Sequence, residues 1–275
     1  MTFLPLSAAV ILVIVLGLWL VSLRLRDSSI IDIAWGPIFV LLAAIGFALG
    51  EGWLGRRILV LGIIGLWGLR LGYHIYRRNR GRDEDPRYAH WREEAGKSWW
   101  WRSLFKVFLL QGAVLWIVSL PVQLTMTVTG AERFTVWDAV GELVWAFGFL
   151  YEAIADAQLR SFKTDPGTDG VLDSGLWHNS RHPNYFGEAV LWWGIGFVAL
   201  SVPWGWLTLS SPLLMTLLLR YASGVPMAER LMEGRPGWDD YARRTPIFVP
   251  GPRAPAGPGH RSGPGSESGP GGQSG

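Results

Sequence analysis

Seven apolar stretches dominate this sequence, each close to the roughly 20 residues that a helix needs to cross the hydrocarbon core of a bilayer. Phe3–Leu23 carries no charge, Ile30–Gly50 carries Asp32, and Ile58–Tyr76 carries Arg70 and His74. Leu104–Val128 is apolar after Lys106, and Val136–Leu159 is apolar apart from Asp138, Glu142, Glu152 and Asp156. Phe186–Val202 and Trp204–Tyr221 are parted by Pro203. In lipid a helix satisfies its own backbone groups, whereas an open strand leaves them bare. The expectation is an all-α polytopic membrane protein with about seven transmembrane helices. Charged residues make up 17% of the chain, below the roughly 25% usual in soluble domains. Its 17 Trp suit membrane–water interfaces. The first stretch has no basic leader and no persuasive cleavage site after it, so it reads as a retained helix, not a signal peptide.

Lys and Arg set the orientation. The loop Arg77–Arg102 is the most basic, with Arg77, Arg78, Arg80, Arg82, Arg87, Arg92, Lys97 and Arg102, while the loops on the other side hold Arg56, Arg57 and Arg133. Basic loops stay in the cytoplasm. The N-terminus is then outside and the C-terminus cytoplasmic, in an integral membrane protein of a bacterial inner membrane. The net charge of +3 is small and sits in loops, so nucleic-acid binding is not expected. The absence of Cys excludes disulfides, thiolate catalysis and Cys-based zinc sites, and no metal is expected. One domain, 1–250, is followed by a Gly- and Pro-rich segment, 251–275, that cannot bury a core and reads as a disordered tail.

An ionised side chain in hydrocarbon needs a partner, water or a ligand. Asp32 is either a helix-start acid favoured by the dipole or a functional carboxylate. Arg70 either snorkels to the interface or pairs with an acid inside the bundle. Tyr73 and His74 lie one turn further on, where a phenol or imidazole can donate a proton into a cavity. Glu152, Asp156, Arg160 and Lys163 follow at spacings that put them on one helical face. Acceptors followed by cations suit a nucleotide, since carboxylates accept ribose or amide hydrogens and Arg or Lys take phosphates. The positive-inside rule alone also places cations there. Gln111 and Gln123 read as interhelical hydrogen bonds. Asp83–Tyr88 reads as a solvated loop, and Trp91–Trp101 as a segment lying in the interface.

The densest polar cluster runs from Gly175 to Glu188: Gly-Leu-Trp-His-Asn-Ser-Arg-His-Pro-Asn-Tyr-Phe-Gly-Glu. Pro183 pushes His182 out of the α region and rigidifies the turn. Aromatic rings beside cationic donors suit an anionic, ring-bearing ligand. Glu188 needs a partner, either a structural one such as Arg220 or a ligand. The chain has no Gly-x-Gly-x-x-Gly and no Gly-Lys-Ser/Thr loop, so a dinucleotide would not be held by a Rossmann fold.

Arg-His-Pro-Asn-Tyr-Phe-Gly-Glu after Gly-Leu-Trp resembles the C-terminal signature of the steroid 5-alpha-reductase-like membrane family, in its bacterial branch. The shorter Arg-His-Pro-x-Tyr core is also similar to sterol reductases and isoprenylcysteine carboxyl methyltransferases. Glu84–Tyr88 resembles the same bacterial branch, and Gly237–Pro250 resembles the family's C-terminal cap. The resemblance implies NADPH bound at the cytoplasmic end by Asp156, Arg160, Lys163, Trp177, Arg181, His182, Asn184, Tyr185, Glu188, Arg220, Tyr241 and Arg244. It implies reduction of a carbon–carbon double bond conjugated to a carbonyl in a lipid-soluble substrate, such as a 3-oxo-Δ4 steroid or an isoprenoid, entering from the bilayer. Tyr73, partnered by Asp32, is the candidate proton donor. The alternative is an S-adenosylmethionine-dependent methyltransferase in which Glu188 binds the donor's amine. The cations at Arg160 and Lys163 speak against it, because that donor has no phosphates. A third reading is a non-catalytic lipid-binding protein whose ion pairs are structural.

Overall fold

A computed structural model of the protein describes residues 3–165, 167 and 170–255, so most of the expected tail lies outside the described residues. Among the described residues every regular element is helical. Helices α1 (Phe3–Leu25), α2 (Ile30–Leu49) and α3 (Leu54–Asn79) follow one another through short turns and are long and apolar enough to cross a membrane. A fourth such segment runs over Pro86–Val118. It comprises α4 (Pro86–Ala95), a 3₁₀ turn, α5 (Trp99–Ser103), a π-helical stretch Leu104–Leu109 and α6 (Leu110–Val118). Asp85 caps α4 by accepting from the Arg87 amide, with Pro86 in the first turn, where a missing N–H costs nothing. The single span expected over Leu104–Val128 therefore begins earlier and breaks at Ser119. Beyond that break, α7 (Leu120–Thr127) starts anew with Pro121 in its first turn.

The remaining elements are α8 (Val136–Thr164), α9 (Pro183–Ala199), α10 (Ser210–Leu217), α11 (Val225–Arg230) and α12 (Trp238–Arg244). Thr135 and Asp138 cap α8 reciprocally. Four acids interrupt its apolar run, α9 has 17 residues, and the expected helix over Trp204–Tyr221 splits into a 3₁₀ turn, α10 and a π turn at Leu218–Ala222. Among the described residues, length and hydropathy thus support four crossing helices where seven are expected.

Glycines set the closest contacts. Gly141 and Gly148 of α8 meet Gly194 and Gly187 of α9, and a methyl group on Gly187 would lie 2.6 Å from the Glu152 amide nitrogen. Such small-residue seams let backbones pack directly. Gly68 of α3 meets Gly36 of α2 in the same way. Phe39, Trp67 and Trp192 form an aromatic knot among α2, α3 and α9, with ring centroids 5.0 to 5.4 Å apart.

The polar residues sort to the two ends of the bundle. At one end Arg56, fully buried, meets Asp138 at 2.6 Å and donates to the Ala131 and Arg133 carbonyls. Every charge in that clasp is answered within the protein. At the other end a strap formed by residues 245–254 returns over the loop before α9. Arg181 and Gly251 amides and the Ser180 hydroxyl join the two through Pro246, Asn179 and Phe248 carbonyls. The strap runs on through Ala254, whose amide reaches the Arg244 carbonyl, past the boundary expected at residue 250.

Candidate functional site

The site lies at the strap end. His182 caps α9 and Pro183 opens it. Asn184 and Glu188, one turn apart, face Asp156 and Glu152, also one turn apart, across the glycine seam of α8 and α9. Arg70 of α3 reaches both acids of α8, at 2.6 Å to Glu152 Oε1 and 2.6 Å to Asp156 Oδ2. The Asn184 amide donates to Asp156 Oδ1 at 3.2 Å, and His74 Nδ1 stands 3.8 Å from Asp156 Oδ2. Glu152 Oε2 and Asn184 Oδ1 are buried with no partner. Glu188 makes no hydrogen bond or ion pair among the described residues, so the structural pairing with Arg220 does not form. Instead Glu188 shares the field of Asp156, Arg70 and Glu152. Three carboxyl groups thus surround one guanidinium, and buried acceptors are left open.

The candidate pair of Tyr73 and Asp32 does not form. Gly72 of α3 packs against Pro37 of α2, and the next residue points about 100° away around the helix. Tyr73 is 61% exposed, with Arg77 over its ring. Asp32 accepts instead from the Tyr88 hydroxyl at 2.8 Å and from Arg87 Nη2 at 2.9 Å. Tyr88 is 3% exposed, and its hydroxyl also accepts from Gln111, which accepts from Trp35. The stretch expected to be a solvated loop is folded into the site. Glu84 and Asp85 pin it to the turn between α1 and α2, through the Ser28 amide and the Ser29 hydroxyl. Burial alone would push the Glu84 carboxyl up, but hydrogen bonds from Arg92 and Ser28 hold it below the usual range. The sequence signal for Tyr88 was the Asp-Pro cap, which turns the chain back toward the bundle.

Tyr185 joins the two wings. It lies within the field of Arg78, Glu188, Arg87 and Asp156, and its ring stacks on His182 at 5.7 Å. Outside the acids, Lys163 and Arg160 are exposed at the end of α8. Arg235, Arg78 and Arg82 lie near enough to Lys163 to repel its charge, and Arg78 and Arg160 act likewise on His74. Among the described residues none of these five cations is paired with an acid. Arg78, Arg82 and Arg235 were not singled out from the sequence, where they look like ordinary positive-inside loop residues.

Other expected site residues hold the loop in shape. Trp177 donates to the Ala155 carbonyl, and the Tyr241 hydroxyl donates to the Trp177 and Ser180 carbonyls. Arg244 pairs with Asp240. Arg181 and His182 both meet Glu229 Oε1, at 3.1 and 3.2 Å. Burial would push the Glu229 carboxyl up, but the His182 hydrogen bond and the Arg181 charge hold it low. Arg220 lies apart, in a groove beside Tyr221 and the strap. Among the described residues no group of three or more His, Cys, Asp or Glu is placed to hold a metal.

Cations that pair with no acid among the described residues, set outside buried acceptors with no partner, are groups able to hold a ligand that carries both an anion and hydrogen-bond donors. The site also fits a proton donor, since Tyr88 is buried and held from two sides.

A model of the family described as "Protein of unknown function (DUF1295)" matches residues 18–245. That family groups with the steroid 5-alpha-reductase-like families. A protein of Schizosaccharomyces pombe, described as uncharacterised, is 28% identical over 218 residues, covering 68% of this chain and 62% of the relative. The chain therefore spans less than two thirds of that relative's length. No solved structure matches.

Proposed function

The chain belongs to the DUF1295 family, and we propose that it is an NADPH-dependent reductase of a carbon–carbon double bond conjugated to a carbonyl. The substrate class is a lipid-soluble enone, such as a 3-oxo-Δ4 steroid or an isoprenoid, reaching the site from the bilayer. The observation that carries this reading is the placement of the buried Tyr88–Asp32 pair at the same end as the acid-free cations. NADPH, when bound, supplies a hydride for the β-carbon. Arg78, Arg82, Arg160, Lys163 and Arg235 hold its phosphates. Glu152 Oε2, Asn184 Oδ1 and Glu188 accept from its amide and hydroxyl donors. The Tyr88 hydroxyl turns its hydrogen from Asp32 to the substrate carbonyl and gives its proton to the resulting enolate, whose enol then tautomerises to the saturated ketone, while Gln111 keeps the oxygen in place and Arg87 balances the Asp32 charge. The aromatic knot and the glycine seams exclude water from the interior. In this reading the bundle crosses an inner membrane seven times, with the N-terminus outside and the site in the cytoplasm.

The test is titration of the purified protein with NADPH, followed by fluorescence, and NADPH consumption with a 3-oxo-Δ4 steroid. Lys163→Ala is expected to weaken NADPH more than NADH, because Lys163 meets the 2′-phosphate. Equal loss for both, or no loss, removes that role. A second reading is favoured by the excess of carboxyl groups over Arg70, which suits a cationic ligand such as S-adenosylmethionine. Calorimetric binding of S-adenosylmethionine without any NADPH response would replace the reductase by a methyltransferase.

A further inference from the structure

Beside the strap, the end of α10 and the turn after it border an open groove of about 440 Å³. Thr216, Arg220, Tyr221 and the strap residues Pro246 to Val249 line it. The Thr216 hydroxyl is occupied, donating to the Pro212 carbonyl and accepting from Trp193. Arg220 is the charged member of the lining. It makes no hydrogen bond or ion pair among the described residues and rests on the Tyr221 ring at 4.7 Å. Glu229 acts on it only at longer range, because that carboxylate is committed to Arg181 and His182. Leu213 and Leu217, one turn apart on α10, and Tyr221 in the π turn that follows are all exposed. An apolar track over Leu213, Leu217 and Tyr221 therefore ends at a guanidinium that is unpaired among the described residues, at the end of the bundle where the polar groups collect.

We propose that one anionic membrane phospholipid seats here, its phosphate on Arg220 and an acyl chain along Leu213 and Leu217. Guanidinium matches phosphate in a two-pronged fashion. A zwitterionic head would bring its own ammonium against Arg220, so a net negative head is selected. The groove wall is also the strap whose Pro246 and Phe248 carbonyls hold Arg181 and Ser180. A seated lipid therefore braces the loop that opens α9.

The test is native mass spectrometry of the full chain in mild detergent, with equimolar phosphatidylglycerol and phosphatidylcholine of identical acyl chains. The wild type is expected to retain one phosphatidylglycerol with about fivefold preference, the order set by one basic residue at a lipid surface. Arg220→Gln should abolish the preference, Arg220→Lys should keep most of it, and Lys163→Ala should leave it intact. A photoactivatable phosphatidylglycerol, applied to the wild type, should label peptides covering 213–221 or 245–249 whether or not any variant folds. Equal retention of both lipids by the wild type overturns the proposal. So does a preference that survives Arg220→Gln, labelling confined to other segments, or displacement by glycerol 3-phosphate, which would make this a site for a free phosphate.

Discussion

Tyr88 and Tyr73 differ in one respect that a helical wheel does not supply, namely the absolute rotation of the helix that carries them. Spacing says that Tyr73 lies a turn from Arg70, but the packing of Gly72 on Pro37 decides that Tyr73 faces outward. Tyr88 is expected to be the residue whose proton is used. Tyr88→Phe keeps the ring and removes the donor, so NADPH affinity should stay within about twofold while turnover falls by about a hundredfold or more. Unchanged turnover would end its role. Glu188 allows a second prediction. With no ion pair to lose, Glu188→Gln should leave the melting temperature of the ligand-free protein nearly unchanged and abolish the stabilisation that NADPH adds. A much lower ligand-free melting temperature with the NADPH shift intact would make Glu188 structural. The polar inventory of the site was legible in the sequence: Arg70, Glu152, Asp156 and the Arg-His-Pro-Asn-Tyr run all stand out against apolar surroundings. What was not legible was which charges are already answered. The expected single face of Glu152, Asp156, Arg160 and Lys163 divides into two buried acids and two exposed cations. Glu229, far along the chain, already serves Arg181 and His182.

Among the elements, α1, α2 and α3 were readable to within a few residues, because their apolar runs are long and bounded by charged or Gly-containing turns. The later helices were less so. Apolar content marks a hydrophobic run but not its interruption, and the run is broken at Ser119, just before Pro121, and changes to a π turn at Leu218–Ala222. The seam between α8 and α9 is the element-scale feature on which the site depends, since it brings Asn184 and Glu188 within reach of Asp156 and Glu152. Gly187→Ala places a methyl group against the Glu152 amide and cannot be relieved without separating the helices. Overpacking of this kind costs roughly 1–3 kcal/mol. The expected outcome is a lower melting temperature together with weaker NADPH binding. A variant that melts like the wild type and binds NADPH normally would show that the two helices are not held at contact distance.

On the scale of the whole molecule, the proposed orientation puts the C-terminus in the cytoplasm. A reporter fused after residue 255 should be active only when it requires the cytoplasm, and activity of a periplasm-dependent reporter there would invert the topology. The two ends of the bundle differ in a way that bears on how it admits anything. Arg56 meets Asp138 and Arg70 meets Glu152, and both pairs join α3 to α8 with the same offset of 82 residues. The two helices therefore run parallel and in register, tied by two rungs about 21 Å apart along the axis. The lower rung has each charge satisfied within the protein, whereas the upper rung leaves Glu152 Oε2 open. The rung at Arg56 is therefore the fully satisfied tie between α3 and α8, and the rung at Arg70 is the one with an acceptor to spare. A shift of about 1 Å at the Glu152 rung corresponds to a turn of one helix against the other by about 3° over that span.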